Sequence, residues 1–264
     1  MRSSRADDGL RYRAEIERAK PRLGHLGSTF VFLPATGSTN DVAMDRCTHG
    51  GVVVADEQTA GRGRRGHTWF SPPGAGLYVS VVLAPSTARV DPMRATALVT
   101  LAAGVALAEG MAAATGLAAD VKWPNDLYVS RRKIGGILAE RAAEGHVVLG
   151  YGINIAASAF PPELRDRATS LESELGREVD RVHVLVETLA ALSRRYDDLL
   201  AGRFDAILDA WRARAPAAEG ARVAWTTSEG MRSGTTAGID DDGALLVRID
   251  DRIERILAGE VAWL

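Results

Sequence analysis

A short arginine- and glycine-rich segment holds the residue types best suited to binding an anion. Residues 61–66 read Gly-Arg-Gly-Arg-Arg-Gly. Glycine lets the backbone approach a ligand closely, and arginine presents planar donors that match a carboxylate or a phosphate. The segment lacks the Gly-Lys-Ser/Thr of a P-loop and the strand-to-helix context of a dinucleotide motif. Its composition alone is explained equally well by a solvated turn.

A cation follows at the end of a predicted strand. Lys122 opens the sequence KWPND at residues 122–126. Because the proline fixes the turn, a lysine just before it would point a positive charge into a site. Taken alone, the segment is explained more simply as a strand-end lysine followed by a β-turn.

Two further predicted strands carry glycines. In KIGGILAE (residues 133–140), paired glycines inside a strand pattern indicate a bulge or a ligand close to the backbone. In GYGIN (residues 150–154), alternate glycines clear one strand face, and Asn154 offers a donor and an acceptor for the edge of a base. A bulge without a ligand and close packing of sheet against helix are the structural alternatives.

The surrounding pattern predicts an α+β fold. Short apolar runs predict buried strands at 30–33, 51–55, 77–83 and 147–155. An alanine-rich run predicts a central helix over 93–115, with Asp91 as its cap and Gly116 at its end. After Pro216, alternating segments and the turn at 240–243 predict a small all-β barrel.

Two shorter helices are predicted before the second strand. A helical period over 10–19 is expected to end at Pro21. A second helix begins near Asp41, with Thr39 or Asn40 as its N-cap.

Composition excludes several classes of protein. The 264 residues are 46% hydrophobic and 25% charged, which is typical of a soluble globular chain. Lys and Arg number 32 against 34 Asp and Glu, so a net charge of -2 gives no general attraction to nucleic acid or membrane. Cys47 is the only cysteine, which excludes an internal disulfide and favours a cytoplasmic location. The apolar run 95–108 is predicted as a buried helix, and the charged start predicts no signal peptide.

Taken together and in order, these segments resemble the biotin–protein ligases. The series comprises STN at 38–40, QTAGRGRRGxxW at 58–69, KWPND at 122–126, KxGGILxE at 133–140 and GxGIN at 150–154. Five motifs in one order are far more specific than any one of them. The resemblance is close from 38 to 154 and looser into the C-terminal part.

The resemblance implies a domain organisation. Residues 1–25 would be an N-terminal segment, and 26–217 a class II synthetase-like catalytic domain with a mixed sheet and helices. Residues 218–264 would form a small SH3-like β-barrel. Members that also act as repressors carry a winged-helix domain before the catalytic part, for which 1–25 is too short, so the resemblance is to the monofunctional type and predicts no DNA binding.

The resemblance also implies roles for individual residues. The expected catalytic residues are Lys122, Arg62 and Arg64. Biotin would be bound by a polar set, the arginine loop, the lysine and the glycine strands: Ser38, Thr39, Asn40, Gln58, Arg62, Gly63, Arg64, Lys122, Gly136, Ile137, Leu138, Gly150 and Gly152. The nucleotide would be bound by Arg64, Arg65, Trp69, Lys122 and Asn154. The sequence identifies no metal ligands.

The implied reaction uses biotin, ATP and Mg²⁺. The biotin carboxylate would attack the α-phosphorus of ATP, giving biotinyl-5′-AMP and pyrophosphate, and a lysine of a biotin carboxyl carrier protein would then take the biotin. Since both reactants are anions, a lysine, arginines and Mg²⁺ must offset their repulsion. Family members often pair edge to edge, which allows a homodimer. The chain departs from the family at His67, where many members carry a basic residue, so one triphosphate contact is in question.

Two other functions fit part of the pattern. A lipoate or octanoate ligase shares the fold, but those families lack the GRGRRG loop and the STN motif. A nucleic-acid binder could use Arg62, Arg64 and Arg65, although the net charge weighs against it.

Overall fold

The computed structural model describes residues 5–227, 230–257, 259 and 261–264. Its larger sheet has seven strands: β1 (Phe30–Leu33), β2 (Val52–Ala55), β3 (Gly76–Leu83), β4 (Asp120–Lys122), β5 (Asp126–Val129), β6 (Arg132–Arg141) and β7 (Val147–Asn154). The strand order is β1-β2-β3-β7-β6-β5-β4. The β1–β2 pair is parallel and every other pair is antiparallel. The predicted mixed sheet is thereby confirmed.

Two long helices cover one face of this sheet. They are α3 (Pro92–Thr115) and α5 (Arg181–Leu200). As predicted, the Asp91 carboxylate caps α3 by accepting a hydrogen bond from the Arg94 backbone N–H at 3.0 Å. Gly110 allows the two helices to pack closely, because a β-carbon there would lie less than 3.0 Å from the Thr188 backbone.

The α3 helix is long and apolar enough to cross a membrane by length and composition alone. However, 67% of its most apolar window is buried inside the protein. Thirteen of its residues are buried, among them Leu98, Leu107 and Met111. The helix is therefore part of the hydrophobic core, as the sequence predicts.

The first helix departs from its predicted end. α1 (Arg5–Leu23) continues past Pro21 for two residues. A proline so near the C-terminus removes only one helical donor, while Leu23 is completely buried and Leu26 almost so. Burial of these leucines outweighs the lost hydrogen bond.

The remaining helices are short. They are α2 (Thr39–Arg46), α4 (Leu171–Leu175) and α6 (Phe204–Arg212). α2 packs on the sheet face opposite α3 and α5, where Ala43 contacts a small apolar cluster from three strands: Val53, Val82 and Val148. α4 is absent from the prediction, because five residues give too little periodicity to detect.

The C-terminal part is an antiparallel sheet of five strands, which confirms the predicted all-β unit. The strands are β8 (Glu219–Thr227), β9 (Gly230–Ile239), β10 (Leu245–Ile249), β11 (Arg252–Ile256) and β12 (Val261–Trp263), in the order β11-β10-β9-β8-β12. The three-residue β12 was not predicted.

The C-terminal sheet packs directly on the α3 side of the larger part. The Trp123 indole N–H donates to the Gly243 carbonyl at 3.0 Å, and Arg94 Nε donates to the Asp241 carbonyl at 2.9 Å. Buried apolar residues of both parts, including Leu101 and Val247, belong to one hydrophobic cluster.

Candidate functional site

Glycines from two neighbouring strands form a floor, here called the glycine floor, on the face of the larger sheet opposite α3 and α5. In the register of β6 and β7, Gly136 lies opposite Gly152, and Leu138 lies opposite Gly150. Side chains alternate between faces along a strand. These four residues therefore share the face that α3 and α5 leave uncovered.

Ile137 lies on the other face. Its side chain is 3% exposed and reaches toward Gly104 of α3, within the hydrophobic core. The prediction grouped residues 136–138 as one floor. Alternation places the Ile137 side chain outside the glycine floor, on the opposite face, where Ile137 also lines a cleft beside Arg64 and Asn125.

Two side chains lie so close to the floor that only glycine fits beneath them. A β-carbon on Gly152 would come less than 3.0 Å from the Trp69 indole, and one on Gly150 less than 3.0 Å from the Asn40 amide. At Gly136, a β-carbon would lie 3.3 Å from Trp69 and from Lys133. The spacing of the glycines thus reflects close approach of the side chains above them.

Polar groups converge at one end of the floor. The Thr39 backbone N–H and hydroxyl donate to Gln58 Oε1 at 2.9 and 3.1 Å. Gln58 Nε2 donates to Ser71 Oγ at 3.0 Å, and the fully buried Ser80 hydroxyl lies 2.7 Å from Thr39 Oγ1. A connected set of donors and acceptors beside glycines and a leucine suits a small neutral polar head group.

The first residues of α2 contribute to this network, and they do not cap the helix as predicted. Ser38 holds the N-cap position with extended backbone, and Thr39 and Asn40 lie in the first turn. All three are buried. The Asn40 side chain donates to Glu140 Oε2 at 2.6 Å and accepts from Ser80 at 2.5 Å. The side chains of Thr39 and Asn40 are thereby engaged across the sheet, which corrects their expected role as caps.

The arginine-rich loop folds as a hairpin beside the polar groups. Arg62 binds Asp41 through two hydrogen bonds of 2.8 and 2.6 Å and also contacts Glu140 at 3.1 Å. Hydrogen bonding from Arg62 lowers the pKa of Asp41, and the same bonds raise the pKa of Arg62. The loop is therefore held by polar contacts, which offset the mutual repulsion of its arginines.

Two further arginines of the loop face the C-terminal part. Arg64 donates to Asn125 Oδ1 at 3.2 Å and to the Gly259 carbonyl at 3.3 Å. Arg65 is exposed and adopts a positive φ of 56°. Gly63 donates its N–H to the His67 carbonyl at 2.7 Å and closes the hairpin.

A cleft opens between the loop, the β4–β5 turn and the C-terminal part. Its volume is about 560 Å³. Its lining includes two arginines, one carboxylate, one amide and several apolar or small residues: Arg64, Arg65, Asp242, Asn125, Leu138, Gly243 and Ala244. A cleft of this size, lined by two arginines, suits an anionic ligand as large as a nucleotide.

The cation nearest the glycine floor is Lys133. Its ammonium lies 2.6 Å from Asp126 and 5.5 Å from the centroid of the Trp69 ring. A β-carbon on Gly136 would lie 3.4 Å from Lys133 Nζ. Lys133 opens the KxGGILxE motif, but the sequence alone predicted no role for it.

Lys122, the predicted cation, lies farther out. It pairs with Asp126, which pairs in turn with Gly136, so two strand spacings, or about 10 Å, separate Lys122 from the floor. Its ammonium lies 4.4 Å from the centroid of the Trp263 ring and 5.3 Å from that of Tyr128. Lys122 therefore lies where the two parts of the protein meet, and its expected place near the biotin carboxylate and the α-phosphate stays a prediction.

Trp69 and Asn154, the two residues expected to hold adenine, differ in their hydrogen bonding. The Trp69 indole N–H is buried and has no hydrogen-bond partner among the described residues. Asn154 is 4% exposed and donates to the Thr169 carbonyl at 2.9 Å. One N–H of the Asn154 amide thus ties the end of β7 to the backbone at Thr169, and its expected role at adenine stays a prediction.

The structure adds residues that sequence reasoning missed. Ser80, Ser71, Asp41, Glu140 and Lys133 all contact the predicted set. Ser80 interrupts an otherwise apolar strand, which was the one available signal for it. The others became visible only when the strand order brought distant segments together.

Known families match both parts of the chain. The biotin/lipoate A/B protein ligase family matches residues 32–154, and the biotin protein ligase C-terminal domain matches residues 220–263.

Curated relatives and solved structures agree with these matches. The bifunctional ligase/repressor BirA of Bacillus spizizenii is 35% identical over 89% of this chain and 74% of its own. The biotin–[acetyl-CoA-carboxylase] ligase of Paracoccus denitrificans is 35% identical over 87% of this chain and 98% of its own. The biotin protein ligase of Aquifex aeolicus in complex with biotin and ATP superposes with a TM-score of 0.78 at 29% identity, covering 89% of this chain and 98% of that one.

The order of the motifs, the fold and these relatives agree on one assignment. The chain belongs to the biotin protein ligases, within the biotin/lipoate A/B protein ligase family.

Proposed function

We propose that the glycine floor and its polar end hold biotin, and that the adjoining cleft holds ATP. As a biotin protein ligase, the chain activates biotin to biotinyl-5′-AMP and transfers biotin to a lysine of a carrier protein. The observation that carries the assignment is the connected network of Thr39, Asn40, Gln58 and Ser80 beside the glycine floor. A ureido ring offers both donors and an acceptor, and such a network can satisfy them.

Lys133 supports the first chemical step by its charge. A carboxylate oxygen of biotin forms a bond to the α-phosphorus of ATP, and the bond to pyrophosphate breaks. Two anions must approach each other, so a fixed cation beside the floor lowers the barrier. Lys133 meets this need better than Lys122, because its ammonium lies against Gly136 and Trp69.

The loop and the C-terminal part would enclose the nucleotide. Arg64 already joins the loop to the backbone at Gly259, and Arg65 lines the same cleft. Arginine donors suit the phosphates. Enclosure would also keep water from the mixed anhydride until the carrier arrives. The carrier's lysine amine then attacks the acyl carbon, and AMP leaves with its phosphate oxygen.

Mg²⁺ is proposed as part of the ATP substrate. Within the described residues, no group of three or more His, Cys, Asp or Glu side chains is arranged to hold a metal ion. The ion would neutralise phosphate charge during attack.

Several broader features are proposals from the family resemblance. The acceptor would be a biotin carboxyl carrier protein, the location cytoplasmic, and association into a homodimer is allowed. Specific DNA binding is not expected at a net charge of -2. A nanomolar gel shift on an operator at physiological salt would contradict this expectation.

Calorimetric titration tests the binding proposal. Biotin should bind the purified protein alone, and ATP should raise the apparent affinity because the adenylate holds both halves. Lipoate, which lacks a ureido ring, should bind far more weakly. Equal affinity for biotin and lipoate would contradict the assignment of the polar end.

A further inference from the structure

We propose that Glu140 is a positioning residue that fixes which way the Asn40 side-chain amide points, and thereby sets the donor and acceptor pattern that biotin meets. The inference rests on the proposed function only in taking the pocket to bind biotin. Glu140 lies near the end of β6, on the same face as Leu138 and Gly136.

The Glu140 carboxylate is ion-paired with Arg62 at 3.1 Å. An ionised carboxylate carries no proton, so it can accept hydrogen bonds but cannot donate them. Asn40 Nδ2 lies 2.6 Å from Glu140 Oε2. The opposite amide orientation would place Asn40 Oδ1 against the carboxylate, oxygen against oxygen. The Leu138 carbonyl also accepts from Asn40 Nδ2, but at 3.5 Å. The shorter, charged contact with Glu140 is therefore the stronger of the two that select this orientation of the Asn40 amide.

The orientation of the Asn40 amide also determines how the Ser80 hydroxyl is oriented, and through it affects the Thr39 hydroxyl. With Nδ2 held by Glu140, Asn40 Oδ1 faces the Ser80 hydroxyl at 2.5 Å. An amide oxygen carries no proton, so Ser80 must donate to it. The 2.7 Å contact between Ser80 Oγ and Thr39 Oγ1 is then a hydrogen bond only if the single Thr39 hydroxyl proton points to Ser80 in place of Gln58 Oε1, 3.1 Å away. One charged group thus orients the Ser80 hydroxyl at the polar end of the pocket.

Glu140 also contacts the arginine loop, and this second contact needs a control. Arg62 is held mainly by the two hydrogen bonds of 2.8 and 2.6 Å that it donates to the Asp41 carboxylate. Asp41 has no hydrogen bond to Asn40 among the described contacts. Loss of the Asp41 carboxylate therefore disturbs Arg62 while leaving the Asn40–Glu140 bond in place, which makes Asp41→Asn the matched control.

The test compares biotin with 2-iminobiotin in the full chain. Protonated 2-iminobiotin carries N–H donors where biotin has its ureido oxygen. At that position biotin therefore needs hydrogen-bond donors from the protein, and 2-iminobiotin needs acceptors. Glutamine in place of Glu140 can donate or accept, so it allows either orientation of Asn40, with only the 3.5 Å contact to the Leu138 carbonyl still favouring the original one. The measured quantity is the ratio of dissociation constants for 2-iminobiotin and biotin, by calorimetry, with thermal unfolding as a check on folding.

The expected result is a ratio that falls about tenfold in Glu140→Gln and stays at the wild-type value in Asp41→Asn. Glu140→Ala, which removes the charged acceptor altogether, should give the same fall and serves if the glutamine variant does not fold. An unchanged ratio in both Glu140 variants overturns the inference, as does an equal fall in Asp41→Asn, which would assign the effect to Arg62. A wild-type protein that binds neither ligand overturns the proposed function itself.

Discussion

The indole of Trp69 lies so close to Gly152 that no β-carbon fits between them. A β-carbon on Gly152 would come less than 3.0 Å from Nε1, Cε2 and Cζ2 of the ring. The position of the Trp69 ring against the sheet therefore requires glycine at residue 152.

Gly152→Ala should displace Trp69 and weaken biotin binding at least about tenfold, a free-energy change of about 1.4 kcal/mol. Because Trp69 is only partly buried, its ring can swing outward, and the melting temperature should change little. Calorimetry and thermal unfolding measure the two effects. The matched control is Gly104→Ala on α3, where the nearest atom lies 3.6 Å away and alanine favours the helix by roughly 0.5–1 kcal/mol. Wild-type biotin affinity in Gly152→Ala would be evidence against this floor.

Lys133→Ala should slow adenylate formation about 10²- to 10³-fold, the usual effect of removing one charge-stabilising donor. Pyrophosphate release in a single turnover measures the rate. Lys122→Ala should have a much smaller effect, because its ammonium lies over Trp263 and Tyr128, a contact worth about 0.5–1 kcal/mol. If Lys122→Ala loses as much rate as Lys133→Ala, the assignment made from the sequence alone is the correct one.

The loop at residues 61–66 should resist trypsin only when ligand is bound. Arg65 is exposed, whereas Arg62 and Arg64 are each held by hydrogen bonds, so cleavage after Arg65 should come first. Biotin with ATP should protect the loop strongly, because its arginines would then bind carboxylate and phosphate. ATP alone should protect it little. Mass spectrometry of the fragments follows the reaction, and equal cleavage with and without ligand would show that the loop does not close.

Stability should fall as the pH drops from 7.5 to 5.5, in part through His49. Burial, with a smaller contribution from neighbouring His25 and His146, lowers the pKa of His49. The Tyr196 hydroxyl, which accepts from the Ala84 N–H, lies 3.0 Å from His49 Nε2 and can donate to it. In this pH range the unfolded state binds a proton that the folded state resists, so protonation favours unfolding. His49→Gln should flatten the dependence of melting temperature on pH, and an identical slope in both proteins would contradict this origin.

Much of the fold could be predicted because each long element carries its own signals. α3 begins at Asp91-Pro92 and ends at Gly116, where a cap and a left-handed glycine mark its limits. The strands β3 and β7 follow from largely apolar runs. β12 has three residues, too few for a pattern of its own, and it forms by pairing with β8.

The sequence predicted which segments form the site, but it predicted less well which side chains of those segments face it. Alternation along β6 places Gly136 and Leu138 on one face and Ile137 on the other, and the strand alone does not say which face is free. Lys122 and Lys133 could not be ranked from the sequence, since their distances from Gly136 depend on the order of β4, β5 and β6. The contact between Glu140 and Asn40 joins residues a hundred positions apart.

The most direct measurement is the identity of the adenylate that the purified protein forms. The protein is incubated with ATP, Mg²⁺ and equal concentrations of biotin and lipoate, and the acyl adenylates are separated and weighed by mass spectrometry. The polar network of Thr39, Asn40 and Gln58 predicts biotinyl-5′-AMP, with one pyrophosphate released for each adenylate formed. Lipoyl-AMP as the main product, or no adenylate from biotin, would contradict the assignment of the pocket.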